Sequence, residues 1–285
     1  MSRYLKAFLI SSLLVCLTAL VIFQTGGTKA DVSEHWISVD SSELQHIMAE
    51  RGPKDRTGLA SLRVAQVLGD IAILRLNDLQ MEELSRAMHE NFHKCGGYVA
   101  HTTEAEAVEW VRNFDRVSTE SEFVTYSINN QLVVNAMLAA TSEPLNRQVI
   151  LDLSAFPNRR HNQPSGLQSA NWIKNKWSAL SAAQPRGEVT VEFYNHGNTP
   201  QPSVIMTVRG TRFPDEIVVM GAHQDSINGS GQTLSAPGAD DDASGIACLT
   251  ETIRVMMENG FKPDRTVQFM AYAAEEVGLW GSNAI

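Results

Sequence analysis

Three short segments of this 285-residue chain place acids and a histidine where they could bind and activate a metal-coordinated nucleophile. The first is Val218-Val219-Met220-Gly221-Ala222-His223-Gln224-Asp225, an apolar run that delivers a histidine and then an aspartate. In such an H-x-D spacing the histidine can take a metal, while the aspartate accepts the other ring N–H and fixes the tautomer. The second is Gly238-Ala239-Asp240-Asp241-Asp242-Ala243-Ser244-Gly245, which opens into an apolar-periodic run at Ile246. A helix N-terminus favours one acid. Three adjacent carboxylates repel one another unless a cation neutralises them. The third is Thr266 to Ala274, another apolar run, followed by Glu275-Glu276. Taken together, nitrogen and oxygen donors suit zinc. The carboxylate next to a ligand is placed to move a proton, and bridging carboxylates serve two-metal hydrolysis.

A rival lies upstream. His89-Glu90-Asn91-Phe92-His93 spells H-E-x-x-H, the pattern of a zincin-type protease with Glu90 as general base. The longer form of that pattern needs a histidine where Val99 stands, and the segment ends at once in Cys95-Gly96-Gly97.

The elements that must position these groups follow from periodicity. Trp36–Val39 and Ile71–Leu76 read as strands, with a polar loop after the first. Asn77 or Asp78 caps a helix carrying Met81, Leu84, Met88 and Phe92 at helical spacing, and Tyr98–Ala100 returns as a strand. Residues 31–110 thus form a small α+β unit. Residues 111–127 are polar and weakly periodic, and read as a linker and processing region. From residue 128 onward, helical patterns alternate with apolar strands. A helix over Ser169–Leu180 presents Trp172, Ile173, Trp177 and Leu180, and strands are expected at Val189–Tyr194, Val204–Val208, Ile217–Gly221 and Thr266–Tyr272. Ile246–Met257 is a helix closed by Asn259-Gly260. Apolar strands interleaved with helices imply an α/β architecture, a mixed sheet covered by helices on both faces, and sites in such sheets form at the carboxyl ends of strands.

The formal net charge of -9 and the lack of a basic tract exclude a nucleic-acid partner. Arg3 and Lys6 precede the apolar run Ala7–Phe23, so residues 1–30 read as a signal peptide for secretion, with an uncleaved membrane anchor as the alternative. Cys16 leaves with that signal. Cys95 and Cys248 are not expected to pair, and Cys248 reads as a small core residue.

The segments G-A-H-Q-D-S, A-P-G-A-D-D-D-A-S-G-I-A and F-M-A-Y-A-A-E-E-V-G-L-W-G-S resemble the bacterial leucyl aminopeptidases, members of the family of co-catalytic dinuclear zinc exopeptidases. Glu83 to His101, with Met88-His89-Glu90 and Cys95-Gly96-Gly97-Tyr98, looks like their propeptide. The resemblance implies the N-terminal part of a zinc-exopeptidase fold over 128–285, preceded by a propeptide acting in cis and lost by cleavage between Val111 and Ile128. It further implies two zinc ions per complete catalytic domain. His223 binds one, Glu276 the other, and Asp241 bridges both. Glu275 is the general base, while Asp225 and Asp242 support the ligands from behind. The Asp241–Asp242 peptide is expected to be cis. The substrate is a peptide with a free, leucine-like N-terminus, and the enzyme is a monomer. On this count each zinc reaches two protein ligands where about three are wanted. The chain is therefore expected to be C-terminally truncated and inactive, with the strand ending at Tyr272 left as an unpaired edge. The alternative from another class is a non-catalytic fragment acting as a binding module.

Overall fold

The first strand alternates side chains to two faces, and both faces find a helix. The computed structural model of the protein describes residues 34–51, 55–120, 127, 129–183 and 188–285, so the expected signal over 1–30 lies outside the described residues. Strands β1 (Glu34–Asp40), β2 (Val64–Leu68), β3 (Ile71–Asn77) and β4 (Tyr98–His101) form an antiparallel sheet in the order β2-β3-β1-β4. Ile37, Val39, Ala72, Leu74 and Leu76 pack with Leu44 and Ile47 of helix α1 (Ser41–Glu50) and with Met81, Leu84 and Met88 of helix α2 (Asp78–Phe92). Ile73 points the other way, onto Ala107 and Val111 of helix α3 (Glu104–Glu120). The period of two in the strand thus decides which helix each residue meets.

Two expectations change here. The polar loop after β1 is helical from Ser41. Asp40 caps it, accepting from Ser42 N at 2.8 Å and Glu43 N at 3.0 Å, and Leu44 and Ile47, three apart, supply the buried contacts that outweigh its polarity. The linker read over 111–127 is also helical as far as Glu120, because Ala107 and Val111 sit one turn apart against the sheet. Between the two candidate caps for α2 the structure selects Asn77, which forms a capping box with Gln80.

His101 closes β4. It is 3% exposed and hydrogen-bonded to Ser38 Oγ at 2.9 Å. Burial lowers its pKa to about 4, and Glu106 offsets that only in part. A histidine depressed on folding contributes stability above its unfolded pKa near 6.5, and that contribution is lost as pH falls through about 4. Compared with His101→Gln, which cannot titrate, the wild-type chain is expected to lose on the order of 2 kcal/mol between pH 7 and pH 4. Urea midpoints of both proteins across that range check it; parallel pH curves would show that His101 is not the group responsible.

The second sheet comprises β5 (Val189–Tyr194), β6 (Ser203–Val208), β7 (Phe213–His223) and β8 (Arg265–Tyr272) in the order β5-β6-β8-β7. β5, β6 and β8 pair antiparallel in turn, and β7 runs parallel to β8. Helices α4 (Gln131–Ala139), α5 (Glu143–Ser154), α6 (Pro164–Ala183) and α7 (Ser244–Glu258) accompany it. Ile173 and Trp177 of α6 meet Ile246 and Ile253 of α7 over Val204, Met206, Phe269 and Ala271. Trp177 Nε1 donates to Thr250 Oγ1 at 2.9 Å, so the largest buried side chain is also polar-satisfied. This is the mixed α/β architecture expected.

β8 is not an edge; it lies between β6 and β7, and the edge strands are β5 and β7. The reading of Ile217–Gly221 as a buried strand is corrected too: Ile217 is 54% exposed and Val219 49%. Apolar composition reports what a strand prefers, whereas its place in the sheet order decides what it meets. Cys248 is exposed, not in the core. The inward stripe of α7 runs through Ile246, Leu249, Thr250 and Ile253, and Cys248 falls between its rows. Cys95 and Cys248 are both free thiols, as expected. Among the described residues no helix is long and apolar enough to cross a membrane.

Candidate active site

Parallel pairing brings the chemistry to one place. His223 ends β7 opposite Tyr272, which ends β8. The two strands therefore release His223-Gln224-Asp225 and Ala273-Ala274-Glu275-Glu276 at the same sheet edge. Asp225, fully buried, fastens the two together. Its carboxylate accepts from Glu275 N at 3.0 Å and Glu276 N at 3.2 Å, and it lies 3.5 Å from His223 Nδ1. The sequence suggests only the second of these tasks.

The acidic segment arrives from the turn Ala239–Ala243, just before α7. Gly238 enters it with φ 51°, and a Cβ there would lie 2.5 Å from Asp241 O. Only two of the three aspartates turn inward, since Asp240 is exposed. Asp242 accepts from His223 N at 3.1 Å and from Gly245 N at 2.8 Å, tying β7 to the start of α7. Gly245 is needed for this approach, because a Cβ would sit 2.5 Å from the Asp242 carboxylate oxygens. The Asp241–Asp242 peptide is cis, as the resemblance implies.

Asp241 uses both oxygens. Oδ1 lies 2.8 Å from His223 Nε2, and Oδ2 accepts from Cys95 Sγ at 3.2 Å. Glu275 Oε2 lies 3.7 Å from His223 Nε2, yet it is buried without a hydrogen-bond partner. Glu276 lines the same cleft, about 430 Å³, as Asp241, Cys95 and His89.

Burial, reinforced by Asp225 and Asp241, pushes Glu275 up to about 7 and Glu276 up to about 8. Burial opposes charge on His223, but Asp225 and Asp241 outweigh it and push the imidazole up to about 12. The His223 hydrogen bond holds Asp241 down at about 2. Asp225 and Asp241 thus favour a proton on His223, and burial beside their charge disfavours ionisation of Glu275 and Glu276. A divalent cation would serve all of them at once. That demand, together with the unpartnered Glu275 oxygen, fits a metal. Among the described residues, however, no group of three or more His, Cys, Asp and Glu side chains is arranged to hold one as it stands.

Two residues of the site escaped the sequence. Cys95 reads there only as a helix stop, and its contact with Asp241 spans 146 positions of chain. Arg159 is fully buried and donates to four carbonyls: Gln224 O at 2.8 Å, Leu153 O at 3.2 Å, Gly238 O at 2.9 Å, and Pro237 O. It clamps the His223 strand end to the aspartate loop. No local pattern marks it, because three of its four partners are backbone atoms 65 to 79 positions away. The H-E-x-x-H residues are not brought together. α2 ends at Phe92, His93 follows with φ 55°, and Glu90 pairs with Arg86 at 3.2 Å, so the two histidines do not share one helical face.

Comparison with known proteins converges on the same segments. Residues 203–285 match the model for Peptidase family M28. That stretch carries His223, Asp225, Asp241, Asp242, Glu275 and Glu276. Leucine aminopeptidase 1 of Arthroderma gypseum is 40% identical over 166 residues, covering 56% of this chain and 44% of the relative. A probable aminopeptidase of Saccharomyces cerevisiae is 34% identical over 160 residues, 54% of this chain and 43% of the relative. The matched part is thus less than half the length of these relatives. LapB of Legionella pneumophila superposes with TM-score 0.69 at 25% identity, over 88% of this chain and 64% of LapB. The LapA aminopeptidase of the same organism gives 0.68 at 21%, over 88% and 63%. These similarities give the chain the fold of LapA and LapB and set residues 203–285 against the M28 peptidase model.

Proposed function

We propose that this chain belongs to the precursor of a secreted zinc aminopeptidase of the bacterial leucyl type, acting on peptides with a free, hydrophobic N-terminal residue. The observation that carries the reading is the meeting of His223, Asp241, Glu275 and Glu276 at the carboxyl ends of β7 and β8, with Glu275 Oε2 buried and unpartnered. His223 and Asp241 would hold one ion, and Asp241 and Glu276 a second. When bound, two zinc ions supply Lewis acidity to the scissile carbonyl and the attacking water. The chain's own residues do the rest. Asp242 and Gly245 set the start of α7 against His223. Asp225 holds the Glu275–Glu276 backbone. Glu275 takes the proton from the attacking water and passes it to the departing amine.

In this reading residues 31–110 are the propeptide, and maturation cuts between Val111 and Ile128. Each ion finds two ligands among His223, Asp241 and Glu276, fewer than the three or so a closed site needs. Residues 1–285 alone are therefore expected to hold fewer than two tight zinc ions and to leave a leucine anilide uncleaved. The test is made on secreted, active enzyme: an N-terminus within 111–128, two zinc ions and leucine-anilide turnover are expected. An active form that starts near Asp31 would overturn the propeptide assignment, and active enzyme free of zinc would overturn the metal reading.

A further inference from the structure

We propose that Cys95 is a metal ligand supplied by the N-terminal unit, its sulfur taking a position on the ion held by Asp241 and Glu276. This inference rests on the metal reading above and adds to it how the precursor would be kept closed. Asp241 divides its oxygens between His223 on one side and Cys95 on the other, so the thiol stands on the side of the cleft lined by Glu276. A thiolate is a soft donor that zinc and cobalt both accept. Cys95 adds a third ligand to an ion that otherwise has two. The thiol donates to Asp241 Oδ2 at 3.2 Å, so the sulfur already stands against a carboxylate oxygen proposed to hold that ion. A bound divalent ion would take the place of the thiol proton, which leaves to solvent.

The rest of the N-terminal unit is built to hold the sulfur there. Ser85 Oγ donates to Glu276 O at 2.8 Å, and Ala100 N donates to Gly278 O at 2.8 Å. Ala274, Val277 and Trp280 are buried in the same core as Leu84 and Met88. The loop that carries Glu275 and Glu276 is thus packed into the N-terminal unit on both sides of the glutamates. Cys95 is fixed relative to Asp241 and Glu276 by an interface and not by a floating tail. Occupation of the ligand position would exclude substrate and water until the unit is removed.

Cobalt(II) titration of the 1–285 chain in a Cys16→Ser, Cys248→Ser background, which leaves one thiol, tests this. A near-ultraviolet sulfur-to-cobalt charge-transfer band is expected, and Cys95→Ser should lose it. In the same background, cobalt should slow alkylation of Cys95 by about tenfold or more, a readout that needs no folded variant. Cobalt bound, by equilibrium dialysis, without the band and without protection overturns this proposal and leaves the metal reading standing. A band that survives Cys95→Ser overturns it as well. A chain that binds no cobalt at all overturns this proposal alone, because the metal reading expects the sites of residues 1–285 to be short of ligands without Cys95.

Discussion

Glu275→Gln in processed, zinc-loaded enzyme is expected to lower kcat by about 10²–10⁴-fold while metal content stays at the wild-type level. The split between those two readouts is the point. Glu275 and Glu276 are neighbours whose backbone amides are both held by Asp225, so the change leaves the loop anchored. Glutamine keeps the size and one acceptor oxygen of the side chain. What it loses is the ability to take a proton, and Glu275 Oε2 is the buried oxygen with no other partner. Glu276→Gln, by contrast, should reduce metal content. Glu90→Gln serves as the control and should leave mature activity unchanged, since Glu90 is exposed and paired with Arg86. Retained turnover in Glu275→Gln, or loss of zinc along with it, would remove Glu275 from the role of base. A dead Glu90→Gln in processed enzyme would move the chemistry to the upstream histidines.

Arg159→Met is expected to cost about 3–5 kcal/mol of folding stability. Gln224 O and Pro237 O lose their donor at about 1–3 kcal/mol each, whereas Leu153 O keeps Phe156 N at 3.3 Å and Gly238 O keeps Ala243 N at 3.0 Å. Gln224 O and Leu153 O belong to one side of the clamp, Pro237 O and Gly238 O to the other. Methionine fills much of the space, so the loss reports hydrogen bonds more than volume. Arg159→Lys should recover little, because an ammonium on a flexible stem cannot reach the positions of a planar fork. Urea unfolding of the three proteins measures it. A loss below about 1 kcal/mol in Arg159→Met would show that water replaces the guanidinium and that the two loops do not depend on it.

The elements with strong local signals were legible and stand close to where periodicity puts them: β3, α2, β5, β6, α7 and β8. α1 and α3 were not, because each has a mostly polar surface and is made helical by two inward residues, Leu44 with Ile47 and Ala107 with Val111. Their helicity is a property of the sheet they cover, and propensity alone does not carry it. The exposure of β7 and of Cys248 was illegible for the same reason. Burial depends on which strand becomes the edge and which rows of α7 face inward.

The candidate site divides along the same line. By itself the sequence determined the donor types and their local context: a histidine, three aspartates and two glutamates, each at the end of an apolar run or the start of a helix. Those are contacts within a few residues, where chain geometry leaves few choices. Only the tertiary structure decided that β7 and β8 run side by side and in parallel, so that His223 and Glu275 share an edge. It also decided that Asp240 turns away, that Arg159 joins the two loops, and that Cys95 reaches Asp241. These are pairings between segments separated by tens of residues to well over a hundred. What selects them is the burial of whole sheet and helix faces, which no local spacing records.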